Sequence, residues 1–428
     1  MSRRGRAALL LMAMLGVATA SGGCASQTPG KPAAAPSRSG APSHPGPSAS
    51  PTGYGVVSRS APSCTTAAAV GPTLTASAAS MTTVPGFRTG LPFTPPFGVA
   101  VTADGRWGFA SLRGDLGVFR LTADRAPVLV HTILLPEAAT AGIALSPDGR
   151  LLLLASEGTG AVVVNVKAAE AGNNSAVLGT LSGPGAQDAG AIEVAVSPDG
   201  RYAFVSLEDD DKISVFNLTA ALAHGFGRSA YVGAIPTQVA PVGLAFAPEG
   251  RWLYSTSEAR NANSQVGTLE VINVLRAESD PARSVVARVP AGCNPVRVTT
   301  SANGSVVWVT ARASDALLAF SAAALRADPR SALLADVAVG EAPVGLALVR
   351  DGSLIVVADS NRFNVSGQHA SLAVIDVRDA LAGRPPLLGY LRAGTFPRDV
   401  AANPEGSAVL VANYASGQVE SVNVAGLP

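Results

Sequence analysis

The chain has 428 residues, 47% of them hydrophobic, and a formal net charge of +1. A balance this even gives no reason to invoke nucleic acid, and aromatics at 5% cannot interleave a basic groove. Three Cys exclude a disulfide-dense scaffold and a Cys-cluster metal centre, and four His leave little for a His-based one. No metal or cofactor is expected.

Arg3, Arg4 and Arg6 precede an apolar run over residues 7–20, too short for a comfortable membrane span. Gly22-Gly23-Cys24 follows, and the segment resembles a bacterial lipoprotein signal in which Cys24 is lipidated. Ser21 stands where such signals usually carry Leu, so ordinary secretion with cleavage near Ala20 is the alternative. Residues 1–23 are therefore read as an export signal. Residues 24–62 are rich in Pro, Ser, Ala and Gly, and they bury too little to offset chain entropy. They are read as a disordered tether, so the membrane is reached only through a lipid.

From residue 98 onward one unit recurs. Its turn residues are Asp104-Gly105, Asp148-Gly149, Asp199-Gly200, Glu249-Gly250, Asn303-Gly304, Asp351-Gly352 and Glu405-Gly406. An acidic or Asn residue before Gly, between short apolar runs, is a β-hairpin signal. A spacing of about 50 residues filled with short strands is the signature of a β-propeller, one blade per repeat. The fold is expected to be all-β, with seven blades of four strands over residues 63–428. The first strands include residues 98–101, 140–145 and 243–246. Second strands include 107–112, 202–207 and 306–310, and third strands include 161–166, 213–218 and 418–424. Fourth strands include 128–134, 177–181 and 387–391. Short helical turns are expected at 219–224, 276–283, 322–328 and 378–382, on the face opposite the channel mouth. The seventh blade runs out of chain after its third strand. Residues 80–84 are expected to complete it, because closure removes an open sheet edge.

Counting back from each turn residue shows what each blade turns inward. Positions six, four and two before it share one face. Four before stand Ala or Thr, and two before stand Thr102, Ser146, Ser197, Ala247, Ser301, Val349 and Asn403. Six before, four blades have Gly, and Glu193, Arg297 and Asp399 break the ring. Gly fits where seven backbones converge. Charged groups there are costly unless solvated or paired, so a structural ion pair and a binding role are both open. Nine past the turn residue a second ring reads Arg113, Glu157, Glu208, Glu258, Arg312, Ser360 and Tyr414. Three Glu facing two Arg could meet a cation or an anion, or could simply point to solvent. Two mouth loops, 258–267 and 360–371, exceed hairpin length. The second carries Arg362 and His369, the sole His near the mouth and so the sole His general-base candidate.

The stretches Pro241-Val-Gly-Leu-Ala-Phe-Ala-Pro-Glu-Gly-Arg-Trp-Leu-Tyr254 and Phe396-Pro-Arg-Asp-Val-Ala-Ala-Asn-Pro-Glu-Gly406 resemble the YVTN-repeat, lactonase-like family of seven-bladed propellers. Val409-Leu-Val-Ala-Asn413 and Val307-Trp-Val-Thr-Ala-Arg312 look like late blades of its lactonase branch. The resemblance spans about residues 80 to 424. It implies the fold, and it implies functions from sugar-lactone hydrolysis to surface-layer assembly. That branch often carries a His beside the opening Pro of a blade; here Phe97, Val242, Val296, Val344 and Arg398 stand there.

Cys64 and Cys293 remain after Cys24, and in an exported protein they invite a disulfide. Such a bond is expected to drape residues 63–79 across the mouth. The sequence thus reads as an exported, lipid-anchored, monomeric propeller. It is expected to bind a small polar or anionic ligand, or a protein partner, at the mouth without chemistry of its own. Arg398 joins the two rings as a further anion-favouring group. The alternative is a lactonase-like hydrolase acting on a sugar lactone or related small acid.

Overall fold

The computed structural model describes residues 57–58, 63–64, 67–86, 92–122, 126–136, 140–156, 158, 160–185, 189–226, 228–259 and 265–428. The export signal, Cys24, Glu157 and residues 260–264 of the 258–267 loop lie outside them, as does the tether apart from residues 57–58. The described strands form seven antiparallel sheets, six of four strands and one of five, arranged as a seven-bladed propeller. Blade two is representative. Its strands are Thr140–Leu145, Leu151–Ser156, Gly160–Asn165 and Val177–Leu181.

The apolar runs of the second and third strands follow from how blades stack. Each blade packs on a neighbour through both faces, so both faces of its central strands are dry. Leu152 and Leu154 join Phe109 and Leu116 of blade one, whereas Leu153 and Ala155 join Ala203 and Val205 of blade three. The same alternation closes the ring. Val409 and Val411 of blade seven pack with Val356 of blade six, and Leu410 and Ala412 pack with Val99 and Phe119 of blade one.

The hairpin turns carry a local brace. Gly105, Gly149, Gly200 and Gly304 adopt φ of 67° to 71°, a left-handed conformation that costs Gly little. The hydroxyls of Thr102, Ser146 and Ser197 donate to the carboxylates of Asp104, Asp148 and Asp199, and Ser301 donates to the Asn303 carbonyl oxygen. Thr102, Ser146 and Ser197 are buried. This corrects the expectation that these positions line the channel: their hydrogen bonds turn them into the hairpin.

A second device ties neighbouring blades together near the mouth. Ser111, Ser206, Thr256 and Thr310, each seven past its turn residue, are fully buried. Each hydroxyl accepts the N–H of its own first strand, from Gly98, Glu193, Gly243 and Arg297 respectively. Each also donates to the carbonyl of the following blade, at Ala141, Val242, Val296 and Val344. The backbones of Glu193 and Arg297 are fixed by this stitching.

Helices Leu218–His224, Val274–Ala277, Ala322–Ala327 and Val377–Ala382 occupy the expected insertions. Val166–Glu170 forms a further helix in blade two. All five open on a capping side chain, from Asn165, Asn217, Asn273, Ser321 and Asp376, that accepts a backbone N–H.

The N-terminal segment is a strap along the outer edges of the last three blades. Val57–Ser58, inside the stretch read as tether, pair with the outer strand Leu333–Ala338 of blade five. The Ala69 N–H reaches the Val339 carbonyl, and Pro72 and Leu74 bond to Tyr390 on blade six. Ala79–Thr83 then pairs antiparallel with Gln418–Asn423 as the outer strand of blade seven. Cys64 and Cys293 are disulfide-bonded, with Cα atoms 5.2 Å apart. The segment after Cys64 therefore does not cross the mouth as expected. Open edge groups of blades five and six hold it along the outside.

Candidate anion site at the channel mouth

Glu193, Arg297 and Asp399 open the innermost strands Ala191–Val196, Pro295–Thr300 and Pro397–Ala402. The strand register shifts just before each of them, between Ala191 and Glu193, Pro295 and Arg297, and Pro397 and Asp399. A bulge of this kind re-aims a side chain. Each charged residue also follows a Gly blade around the ring. A Cβ on Gly142 would stand 2.3 Å from Glu193 Oε1, and one on Gly345 would stand 2.8 Å from Asp399 Cα. Glycine there lets the next blade lean in with its charge.

The three charges meet partners near the mouth. Arg297 Nη2 lies 3.2 Å from Glu193 Oε2. That contact is not aligned as a hydrogen bond, and Arg297 Nε and Nη2 keep no hydrogen-bond partner although the residue is 7% exposed. Asp399 Oδ2 accepts the Val99 N–H at 2.9 Å. Burial pushes the Glu193 carboxyl up to about 7, against the pull of Arg297 and with the push of Asp399. Burial also raises Asp399, opposed by Arg297.

The second ring joins the first through arginines. Arg312, 7% exposed, donates from Nη2 to Glu258 Oε1 at 3.0 Å and to Asn294 Oδ1 at 2.9 Å, while its Nε stays unpartnered. Burial lowers Arg312, Glu258 holds it up, and Arg362 and Arg297 push it down. Glu208 is raised to about 7 by burial and then by Glu258 and Asp209, opposed by Arg312 and Arg398. Arg398 is depressed by burial and by Arg297 and Arg312, with Arg362 adding to the push. Its guanidinium stacks 3.6 Å over Phe97 and faces Phe396 and Tyr414 at 5.7 and 5.6 Å. Those rings soften its desolvation, and its Nε is a fourth unpartnered donor. Four arginines, Arg297, Arg312, Arg362 and Arg398, thus share one field with Glu193, Glu208, Glu258 and Asp399. Burial raises Glu193 and Glu208 to about 7, which lessens the negative charge that faces the arginines. Such a cluster can hold a carboxylate or phosphate oxygen by charge-assisted hydrogen bonds.

Other sequence candidates lie elsewhere. Arg113 takes a left-handed turn conformation, φ 60°, and its carbonyl accepts from Thr140. His369 lines a groove of about 520 Å³ between strap residues 69–73 and Tyr390–Ala393. That groove lies on the outer strand of blade six, three strands out from the channel, and none of the four arginines lines it. Its long loop is braced by the Phe363 N–H on Glu341 and the Asn361 side chain on the Gln368 carbonyl. Among the described residues no group of three or more His, Cys, Asp or Glu could hold a metal ion. Sequence reasoning missed the Phe97–Arg398–Tyr414 stack and the Asn294 contact. Phe97 and Arg398 both stand seven before their turn residues, in blades one and seven. Those blades become neighbours only when the ring closes.

The lactonase, seven-bladed β-propeller family matches residues 111–372, and the chain belongs to that family. The matched span holds Glu193, Arg297 and Arg312 but ends before Arg398 and Asp399. No curated protein matches the chain significantly. Among solved structures 1620 chains match, so the likeness is widely shared. Hydrazine synthase of Kuenenia stuttgartiensis is similar with TM-score 0.62 and 15% identity, over 80% of this chain and 99% of that one. At that identity the likeness speaks for the fold alone.

Proposed function

We propose that this propeller captures a small polar anion, of the carboxylate or phosphate class, at its channel mouth without transforming it. The observation that carries the reading is the set of unpartnered guanidinium nitrogens on buried Arg297 and Arg312 and half-buried Arg398. An unpaired buried donor is costly, and an anion would satisfy several at once. Arg312→Ala should weaken binding of a small carboxylate by about 1.5–3 kcal/mol, the scale of a charged hydrogen bond. Calorimetric titration of both proteins with D-gluconate checks this. Equal affinities would remove Arg312 from the site.

The family itself favours a second reading, lactone hydrolysis using mouth carboxylates and Arg312. Turnover of a sugar lactone by wild type and its loss in Arg312→Ala would favour hydrolysis over capture.

Export and lipidation at Cys24 belong to the same proposal. The Cys64–Cys293 disulfide supports export, because such bonds persist in oxidising compartments. A lipidated Cys24 would attach the propeller without a span. Mass spectrometry should find an acylated mature N-terminus at Cys24. An unmodified terminus upstream of it would contradict anchoring.

A further inference from the structure

We propose that anion capture at this mouth is proton-coupled: the arriving anion takes over the Arg297 guanidinium, and Glu193, held beside it, takes up a proton from solvent. The inference rests on the capture reading above and adds its regulation.

In the free protein Glu193 is an internal occupant of the cation. Its Oε2 lies 3.2 Å from Arg297 Nη2, and its carboxyl fills the space that a Cβ on Gly142 would take. The carboxyl cannot retreat toward Gly142, nor can its backbone move, since Ser206 bonds the Glu193 N–H. A second anion entering here meets an ionised carboxylate at the same guanidinium, and like charges in one confined site cannot both persist. Protonation resolves the conflict twice over. It removes the competing charge, and it converts Glu193 from an acceptor-only group into one with an O–H donor. The proton comes from solvent and ends on a Glu193 carboxylate oxygen, and no other bond changes.

The groups facing Glu193 set the range. Arg297 and Arg398 favour its ionised form, and Asp399 opposes it. Glu208 on the same blade faces Glu258, Asp209, Arg312 and Arg398. It titrates in the same region but has no described ion pair with Arg297. The carboxyl of Glu193, held at about 7 by burial, binds the anion in its protonated state. Affinity is therefore full below that value and falls above it. The limiting slope is one proton per anion, about tenfold in affinity per pH unit.

The test is calorimetric titration of the full-length protein with sulfate and with D-gluconate, whose charges stay fixed between about pH 6 and about pH 8. It is repeated in two buffers of different ionisation enthalpy. The expected result is proton uptake on binding and an affinity that drops severalfold or more across that range. Glu193→Gln should abolish the uptake and flatten the profile at the wild type's low-pH affinity, whereas Glu208→Gln should keep the slope. Binding without pH dependence, or a slope lost only in Glu208→Gln, would overturn the coupling and leave capture standing. Absence of binding by either anion at any pH would overturn the capture reading, and the coupling with it.

Discussion

A chain lacking residues 1–90 is expected to unfold far more readily than one lacking residues 1–60. Ala79–Thr83 supplies the outer strand of blade seven, hydrogen-bonded to Gln418–Asn423. Val84, just past it, is fully buried against Ala110, Leu410 and Val419, where blade seven meets blade one. Leu74 and Ala76 pack on the core between blades six and seven. Burial of one Val contributes about 1.5–3 kcal/mol, and each ladder hydrogen bond adds about 1 kcal/mol. The longer deletion should therefore cost about 5 kcal/mol or more on these terms. It would also leave Gln418–Asn423 as an open edge inviting association. Denaturant unfolding of the two truncations checks this, and equal midpoints would mean that the strand does not close the ring.

The second large effect concerns the clasp. Replacing Cys64 and Cys293 together with Ala should lower stability by about 2–5 kcal/mol, within the range for native disulfides. The bond spans 229 residues of sequence, and wide loops restrict the unfolded chain most. Its surroundings are built for it. Cys293 is fully buried, its N–H donates to Ser314 Oγ, and Ser314 Oγ donates to the Ser63 carbonyl. Reductant should bring wild type down to the variant's stability and leave the variant unchanged. A variant as stable as wild type would show that strand pairing alone holds the strap. Because the longer truncation also removes Cys64, this variant separates the clasp from the closing strand.

Much of the fold is legible in the sequence because each blade must solve the same problem. Period, turn chemistry and apolar runs locate strands such as Trp107–Leu112 and Tyr202–Leu207 to the residue. The helix Val166–Glu170 is hidden because its residues continue an apolar run, although Asn165 marks its start as Asn217 and Asn273 mark others. The path of the strap is not legible. Any of several outer strand edges could receive it, and the choice rests on Tyr390 and Val339, far away in sequence. The charged ring at Glu193, Arg297 and Asp399 is visible as a break in a Gly pattern. The way it works is not, since the stack of Arg398 on Phe97 and the lean of Glu193 over Gly142 depend on ring closure. Loop length alone puts His369 at the mouth, whereas it lines a groove against the strap and the outer strand of blade six.

The measurement that bears most directly on the account is the melting temperature of wild type and Arg312→Ala in a panel of small carboxylates, phosphate esters and sugar lactones. Capture by the arginine cluster predicts that at least one acid raises the wild-type midpoint and fails to raise that of the variant. A panel in which no acid shifts the wild type, or in which both proteins shift alike, would contradict it.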